Sequence, residues 1–144
     1  MEYYCSYQER CHAEVIQKLH ALSVPPKWYD EVIVHLLTHN FLNEERFVLL
    51  FSVSKFHQKK WGKNRISNEL KLRQISDYLV RKGLKAIPDE EYEITFAELA
   101  QKTWETIPEK NILKKRKKFC DTLLRKGWES DWVYEAVKKL ERLS

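Results

Sequence analysis

Sliding the 144-residue chain along itself brings its apolar positions into register at an offset of 51 residues and then of 53, without internal gaps. Val15, Ile66 and Phe119 fall together, as do Leu19, Leu70 and Leu123; Val24, Ile75 and Trp128; and Trp28, Leu79 and Trp132. Tyr29, Val80 and Val133 follow, then Ile33, Leu84 and Val137, then Leu36, Ile87 and Leu140. The same offsets place Pro25 and Pro26, Ser76, and Gly127 to Ser130 at or near one break inside each copy. A chain built this way stacks one supersecondary unit on the next, and each unit touches mainly its neighbours. The expectation is an all-α fold of tandem three-helix repeats over residues 1–61, 62–109 and 110–144, in an elongated, curved array whose last repeat lacks its third helix.

Helices are expected because the chain holds only 3 Gly and 4 Pro, too few turn formers for an all-β protein of this length. In the first unit, Val15, Ile16, Leu19 and Leu22 mark one face of a helix over residues 7–22, which Pro25 and Pro26 close. A second helix is expected over residues 27–38, buried through Trp28, Val32, Ile33 and Leu36. The third starts at Asn43, with Leu42 and Phe47 placed as a hydrophobic staple across the N-cap and Glu44 and Glu45 on the positive end of the helix dipole. In the second unit, helices are expected near residues 64–73 and 76–85, the latter capped by Ser76, and Pro88 opens a longer one that Pro108 ends. The third unit starts near Asn111, turns at Gly127, whose lack of a Cβ suits the left-handed position after a helix, and restarts at Ser130.

No apolar run is long enough to span a bilayer and no charged-then-apolar leader follows Met1, so the expectation is a cytoplasmic protein with no membrane partner, and a monomer. Cys5, Cys11 and Cys120 are odd in number and lack a framework spacing, as befits buried or incidental thiols in a reducing compartment. The net charge of +5 is segregated: −3 over residues 1–54, +8 over 55–85, −5 over 86–110 and +5 over 111–144. Any one block reads equally as the solvated face of a lysine-rich helix.

Catalysis has no candidate set, and the chain reads as a non-enzyme. His35 and His39 have ligand spacing on a helix, but no third ligand and no HExxH pattern accompany them, so no metal is assigned. Cys11 and His12 are adjacent, and adjacent helical residues point in different directions. No glycine-rich phosphate loop occurs, which leaves nucleotide binding without support.

The basic groups are sharper. Lys114, Lys115, Arg116, Lys117 and Lys118 lie at a helix start, where the dipole disfavours cations, so helix stability alone does not call for them. Lys55, Lys59, Lys60, Lys63 and Arg65 surround Trp61 and Gly62, a combination suited to phosphate contact with stacking. Trp61 reads either as that stacking aromatic or as a core anchor between units. Glu44 and Glu45, and Asp89 to Glu91, each sit at a helix start, where the dipole explains them.

The segments YCSYQERCHAEVIQKL, NFLNEERFV, FSVSKFHQKKWGKNRISNELKLRQIS and DTLLRKGWESDWVYEAVKKL, in that order and nearly end to end, resemble the regulatory protein RecX family. FLNEERFV running into KKWGKNRI is the most specific part. The resemblance implies a non-enzymatic modulator of the RecA recombinase in DNA repair, built from three-helix repeats. It implies a protein that lodges in the groove of the RecA filament on DNA and inhibits ATP hydrolysis and strand exchange, without a cofactor. On that resemblance, the groove or phosphate contacts are Lys55, Lys59, Lys60, Lys63, Arg65, Lys71, Arg73, Lys114, Lys115, Arg116, Lys117 and Lys118, with weak contact to single- or double-stranded DNA. Glu44, Glu45, Arg46, Phe47, Trp61 and Gly62 are assigned to capping and inter-repeat packing. Two other readings stand beside it: a stand-alone helical DNA-binding protein, and a helical-repeat adaptor whose basic blocks dock an acidic protein.

Overall fold

A computed structural model describes residues 1–144. It contains α1 (Glu2–Tyr7), α2 (His12–Ala21), a 3₁₀ turn (Pro26–Trp28), α3 (Tyr29–Thr38) and α4 (Glu44–Lys59). These are followed by α5 (Lys63–Leu72), α6 (Asp77–Lys85), α7 (Asp89–Thr106), α8 (Ile112–Arg125) and α9 (Ser130–Leu143). There is no β-strand.

The repeat is visible in the backbone. α2, α5 and α8 end at Ala21, Leu72 and Arg125, again 51 and then 53 residues apart, and each is followed by a left-handed residue at Ser23, Gln74 and Gly127. The amide of the next residue then reaches back five positions: Val24 to Leu19 O at 3.0 Å, Ile75 to Leu70 O and Trp128 to Leu123 O at 3.2 Å. Amides of the left-handed residues bond to the His20, Lys71 and Leu124 carbonyls, completing a Schellman cap three times over. Two of the aligned apolar triplets, Leu19/Leu70/Leu123 and Val24/Ile75/Trp128, are therefore the paired positions of that cap. The 3₁₀ turn, α6 and α9 then begin at Pro26, Asp77 and Ser130, on the same offsets.

The chain divides into two compact units, residues 1–53 with 69–86, and residues 54–68 with 87–144. In the first, Cys5, Val15, Leu19, Leu36 and Leu42 form a buried cluster. In the second, Phe119, Leu123, Val133 and Val137 are buried beside an aromatic group in which Tyr92 and Trp128 lie 4.5 Å apart, centroid to centroid, with Phe56 and Phe96 against Trp128.

Three sequence expectations are corrected. The first helix is two, because Cys11 caps α2 in a capping box with Glu14 (Cys11 N to Glu14 Oε1, 3.1 Å) and Gln8 is extended. On α2 only Val15 and Leu19 are buried; Ile16 lies a quarter-turn off that seam and Leu22 lies past the last turn, and both are exposed. Trp28 is 47% exposed, since it ends the 3₁₀ turn, whose three-residue period breaks the α spacing that would have carried it inward.

At Asn43 the side-chain oxygen accepts from the Arg46 amide at 2.9 Å, and Leu42, Phe47 and Val48 are buried. The acidic start of α4 does more than meet its own dipole. Glu44 accepts from the His12 amide at 3.1 Å, capping α2, and Glu45 pairs with Lys82 at 2.6 Å. Arg46 spans Glu9 (2.5 Å) and Asn40 (3.2 Å to its side-chain oxygen). Cys5, Cys11 and Cys120 are buried and free, and burial raises the Cys11 thiol to about 11.

Candidate basic interface

The residues between α4 and α5 form a closely packed backbone crossing. The Gly62 amide donates to Lys126 O at 2.8 Å and the Asn64 amide to Gly127 O at 3.0 Å. A Cβ on Gly62 would stand 2.5 Å from the Gly127 carbonyl carbon and 2.6 Å from Trp128 Cα, so no larger residue fits without opening the crossing. Gly127 needs its own lack of a Cβ twice, for φ +94° and because a Cβ there would lie 2.8 Å from Arg65 Cα. Around this crossing, Trp128 Nε1 donates to Lys60 O at 3.1 Å. The Tyr92 hydroxyl accepts from the Lys63 amide at 2.9 Å and donates to Glu129.

The cations of the joint divide into those the fold already uses and those it does not. Arg65 lies over the Trp61 ring, 4.4 Å from its centroid, and donates to Arg125 O at 3.3 Å. Lys55 approaches the same ring at 5.5 Å. Lys63 lies over Tyr92 at 4.6 Å and is 3.9 Å from Asp89. Two helix C-termini, whose free carbonyls favour cations, are thus served: Arg65 binds the end of α8, and Lys126 donates to Lys59 O at 3.3 Å at the end of α4. Lys59 and Lys60 differ. Their carbonyls are occupied, but their side chains are exposed and neither ammonium pairs with a carboxylate. Trp61 is half-buried under these cations, and the fully buried tryptophan of the joint is Trp128.

The 114–118 run is largely committed within its own unit. Asn111 caps α8 through the Leu113 and Lys114 amides at 3.0 and 3.2 Å. Arg116 binds both oxygens of Glu141 at 2.5 and 2.9 Å, and that guanidinium holds the Glu141 carboxyl below its ordinary range. Lys117 meets Asp121 at 2.9 Å, Lys118 meets Glu109 at 3.6 Å, and Lys115 lies over Trp104 at 4.2 Å. Lys114 alone in the run lacks such a partner. The run and the joint sit at opposite ends of α8, about 16 Å apart along its axis at the helical rise. Lys71 and Arg73 belong to the first compact unit, where Arg73 bonds to Glu69 and lies over Phe51 at 4.9 Å, while Lys71 is exposed. Arg125 and Lys126, which enter the joint from the far end of α8, were not singled out from the sequence; their place in the last turn before a left-handed glycine was the available signal.

His35 bonds to Glu2 at 2.5 Å and His39 to His35 O at 3.0 Å, and no three His, Cys, Asp or Glu side chains cluster to hold a metal ion. No helix is long and apolar enough to cross a membrane.

Residues 43–84, which take in α4, α5 and α6, match the family model described as RecX, second three-helix domain. Curated relatives called Regulatory protein RecX match over 138 residues, or 96% of this chain, at 25% identity in Bacillus cytotoxicus and 23% in Bacillus thuringiensis. Residues 43–84 thus carry a RecX-type three-helix domain, and the chain as a whole is similar to RecX. It spans about half the length of these curated relatives, 51% in each case. Among solved structures, regulatory protein RecX is similar with TM-score 0.82 at 20% identity, over 94% of this chain and 68% of that one. RecX from Lactobacillus salivarius is similar with TM-score 0.77 at 23% identity, over 96% and 90%. These two likenesses carry the fold: an all-helical repeat protein of the RecX type.

Proposed function

We propose that this chain is a non-enzymatic regulator that binds the groove of the RecA–DNA filament and inhibits RecA's ATPase and strand-exchange activities. The match of residues 43–84 to the second three-helix domain of RecX, with similarity to Regulatory protein RecX over 96% of the chain, is the observation that carries the reading. The second support is chemical. Cations with no internal partner, Lys59 and Lys60 at the joint, Lys71 in the other unit and Lys114 at the start of α8, are free to meet phosphate or acidic protein without loss of an existing pair. The remaining basic positions already hold carboxylates, aromatic rings or helix ends, and exposed pairs of that kind are worth only about 0–1 kcal/mol each, so phosphate can still compete for them.

The partner assignment is tested by comparing affinities for single-stranded DNA alone, duplex DNA alone and a RecA filament on the same DNA. Tight binding to the filament beside weak, salt-sensitive binding to bare DNA supports the proposal. Equal, strong affinity for bare DNA, with a log–log salt slope near one unit per phosphate contact, supports a stand-alone DNA-binding protein instead.

A further inference from the structure

In the second compact unit, α7 and α9 flank a groove of about 540 Å³. Its floor is apolar, formed by Phe96 and Ala100 from α7 and by Trp132, Ala136 and Leu140 from α9, with the 84%-exposed Leu143 at its end. The repeat shows what differs at this position. Residues 51 and 53 positions earlier occupy the corresponding helices α4 and α6 of the first unit, where Glu45 and Lys82 pair across the gap at 2.6 Å and Gly83 lets the helices approach, a Cβ there standing 3.0 Å from Val48 O. In the groove these positions are Phe96, Glu135 and Ala136. The bridging pair has become an aromatic ring and a carboxylate that pairs within its own helix, with Lys139, and the glycine has gained a methyl group.

Charge selects what would cover that floor. Glu93 on the α7 rim has no cationic partner, and Glu135 on the α9 rim meets only its helical neighbour Lys139, at 3.5 Å. α7 itself carries Asp89, Glu90, Glu91, Glu93, Glu98 and Glu105 against the single cation Lys102. At physiological salt the groove feels chiefly charges within about 8–10 Å, and its own lining carries Glu93 and Glu135 against Lys139 alone. We infer that the α7–α9 groove is a docking site for a basic amphipathic helix of a protein partner, its apolar face on the groove floor and its cations against Glu93 and Glu135. The inference stands independently of the filament reading, since no basic residue of the joint takes part.

Two model peptides about as long as α9, one of Leu and Lys and one of Leu and Glu in the same amphipathic pattern, test it on the full chain by calorimetry and amide shift mapping. The Leu/Lys peptide is expected to bind with shifts centred on α7 and α9. Its Kd is expected to rise about tenfold or more with Glu93→Lys and Glu135→Lys together, and again with Ala97→Arg at the exposed edge. Equal binding of the two peptides, shifts centred elsewhere, or no binding would overturn the inference, as would concentration-dependent self-association of the peptide-free protein through the same amides. Should a variant unfold, the comparison of the two peptides on the unaltered chain still decides the question.

Discussion

Replacing Gly62 by Ala adds one methyl group at the backbone crossing between the α4–α5 joint and the end of α8. That Cβ would lie 2.5 Å from the Gly127 carbonyl carbon and 2.6 Å from Trp128 Cα, both main-chain atoms that cannot rotate aside. Carbon–carbon contact requires about 3.5 Å, so the crossing must open by roughly 1 Å. The Gly62–Lys126 and Asn64–Gly127 hydrogen bonds, at 2.8 and 3.0 Å, would then stretch beyond useful length. Overpacking costs about 2 kcal/mol and each weakened hydrogen bond about 1 kcal/mol, offset by about 0.7 kcal/mol for the stiffer unfolded chain. The net loss is about 3 kcal/mol, a large part of the roughly 5–15 kcal/mol of a natural domain. Urea unfolding should show the midpoint falling at constant slope, with a Tm drop of roughly 10 °C for a chain of this size. Gly62→Ala within about 1 kcal/mol of the parent would refute the tight crossing. Gly83→Ala, which meets the rotatable Ser52 Oγ as well as Val48 O at 3.0 Å, should cost less.

Glycine at either of the other two repeat caps should act in the opposite sense: Ser23→Gly and Gln74→Gly each relieve a left-handed φ of 60° and 59° and should stabilise by about 0.5–1 kcal/mol, whereas a loss in urea unfolding would contradict the Schellman assignment. Lys59→Glu with Lys60→Glu should weaken filament binding while leaving the thermal melt unchanged; unaltered inhibition would move the interface to the 114–118 run. The Glu141 carboxyl is held low by Arg116 in the folded chain, so its contribution is present above the ordinary value of 4.5 and is lost as pH falls through the lower folded value. The urea midpoint should therefore decline on acidification from pH 5, and less steeply in Arg116→Gln; identical slopes would deny the pair a role in stability.

Much of the fold was legible because the repeat is enforced by local chemistry. Leu19, Leu70 and Leu123 with Val24, Ile75 and Trp128 recur since each first helix ends in the same cap, and that cap needs an apolar pair at fixed spacing. An offset, however, fixes a period and not a phase. The family model's three-helix domain opens at Asn43, whereas the division 1–61, 62–109 and 110–144 opens a unit at Gly62, and that division stands as a proposal about phase. Trp28 misled because a 3₁₀ turn has a different period from the α-helix that follows it. The basic clusters were visible as charge, but their commitments were not. Glu141 lies 25 residues beyond Arg116, and the carbonyls that bind Arg65 and Lys126 lie 60 and 67 residues away, distances over which only the fold brings groups together. The same holds for Glu44, whose partner is the amide of His12, 32 residues earlier.

The proposed function, restraint of RecA on DNA by this RecX-like chain, has one direct test. Titrating the protein into RecA hydrolysing ATP on single-stranded DNA tests it most directly. A fall in the hydrolysis rate at substoichiometric or near-equal ratios to RecA, reduced by Lys59→Glu with Lys60→Glu, is the predicted result. An unchanged rate across that whole range would contradict it.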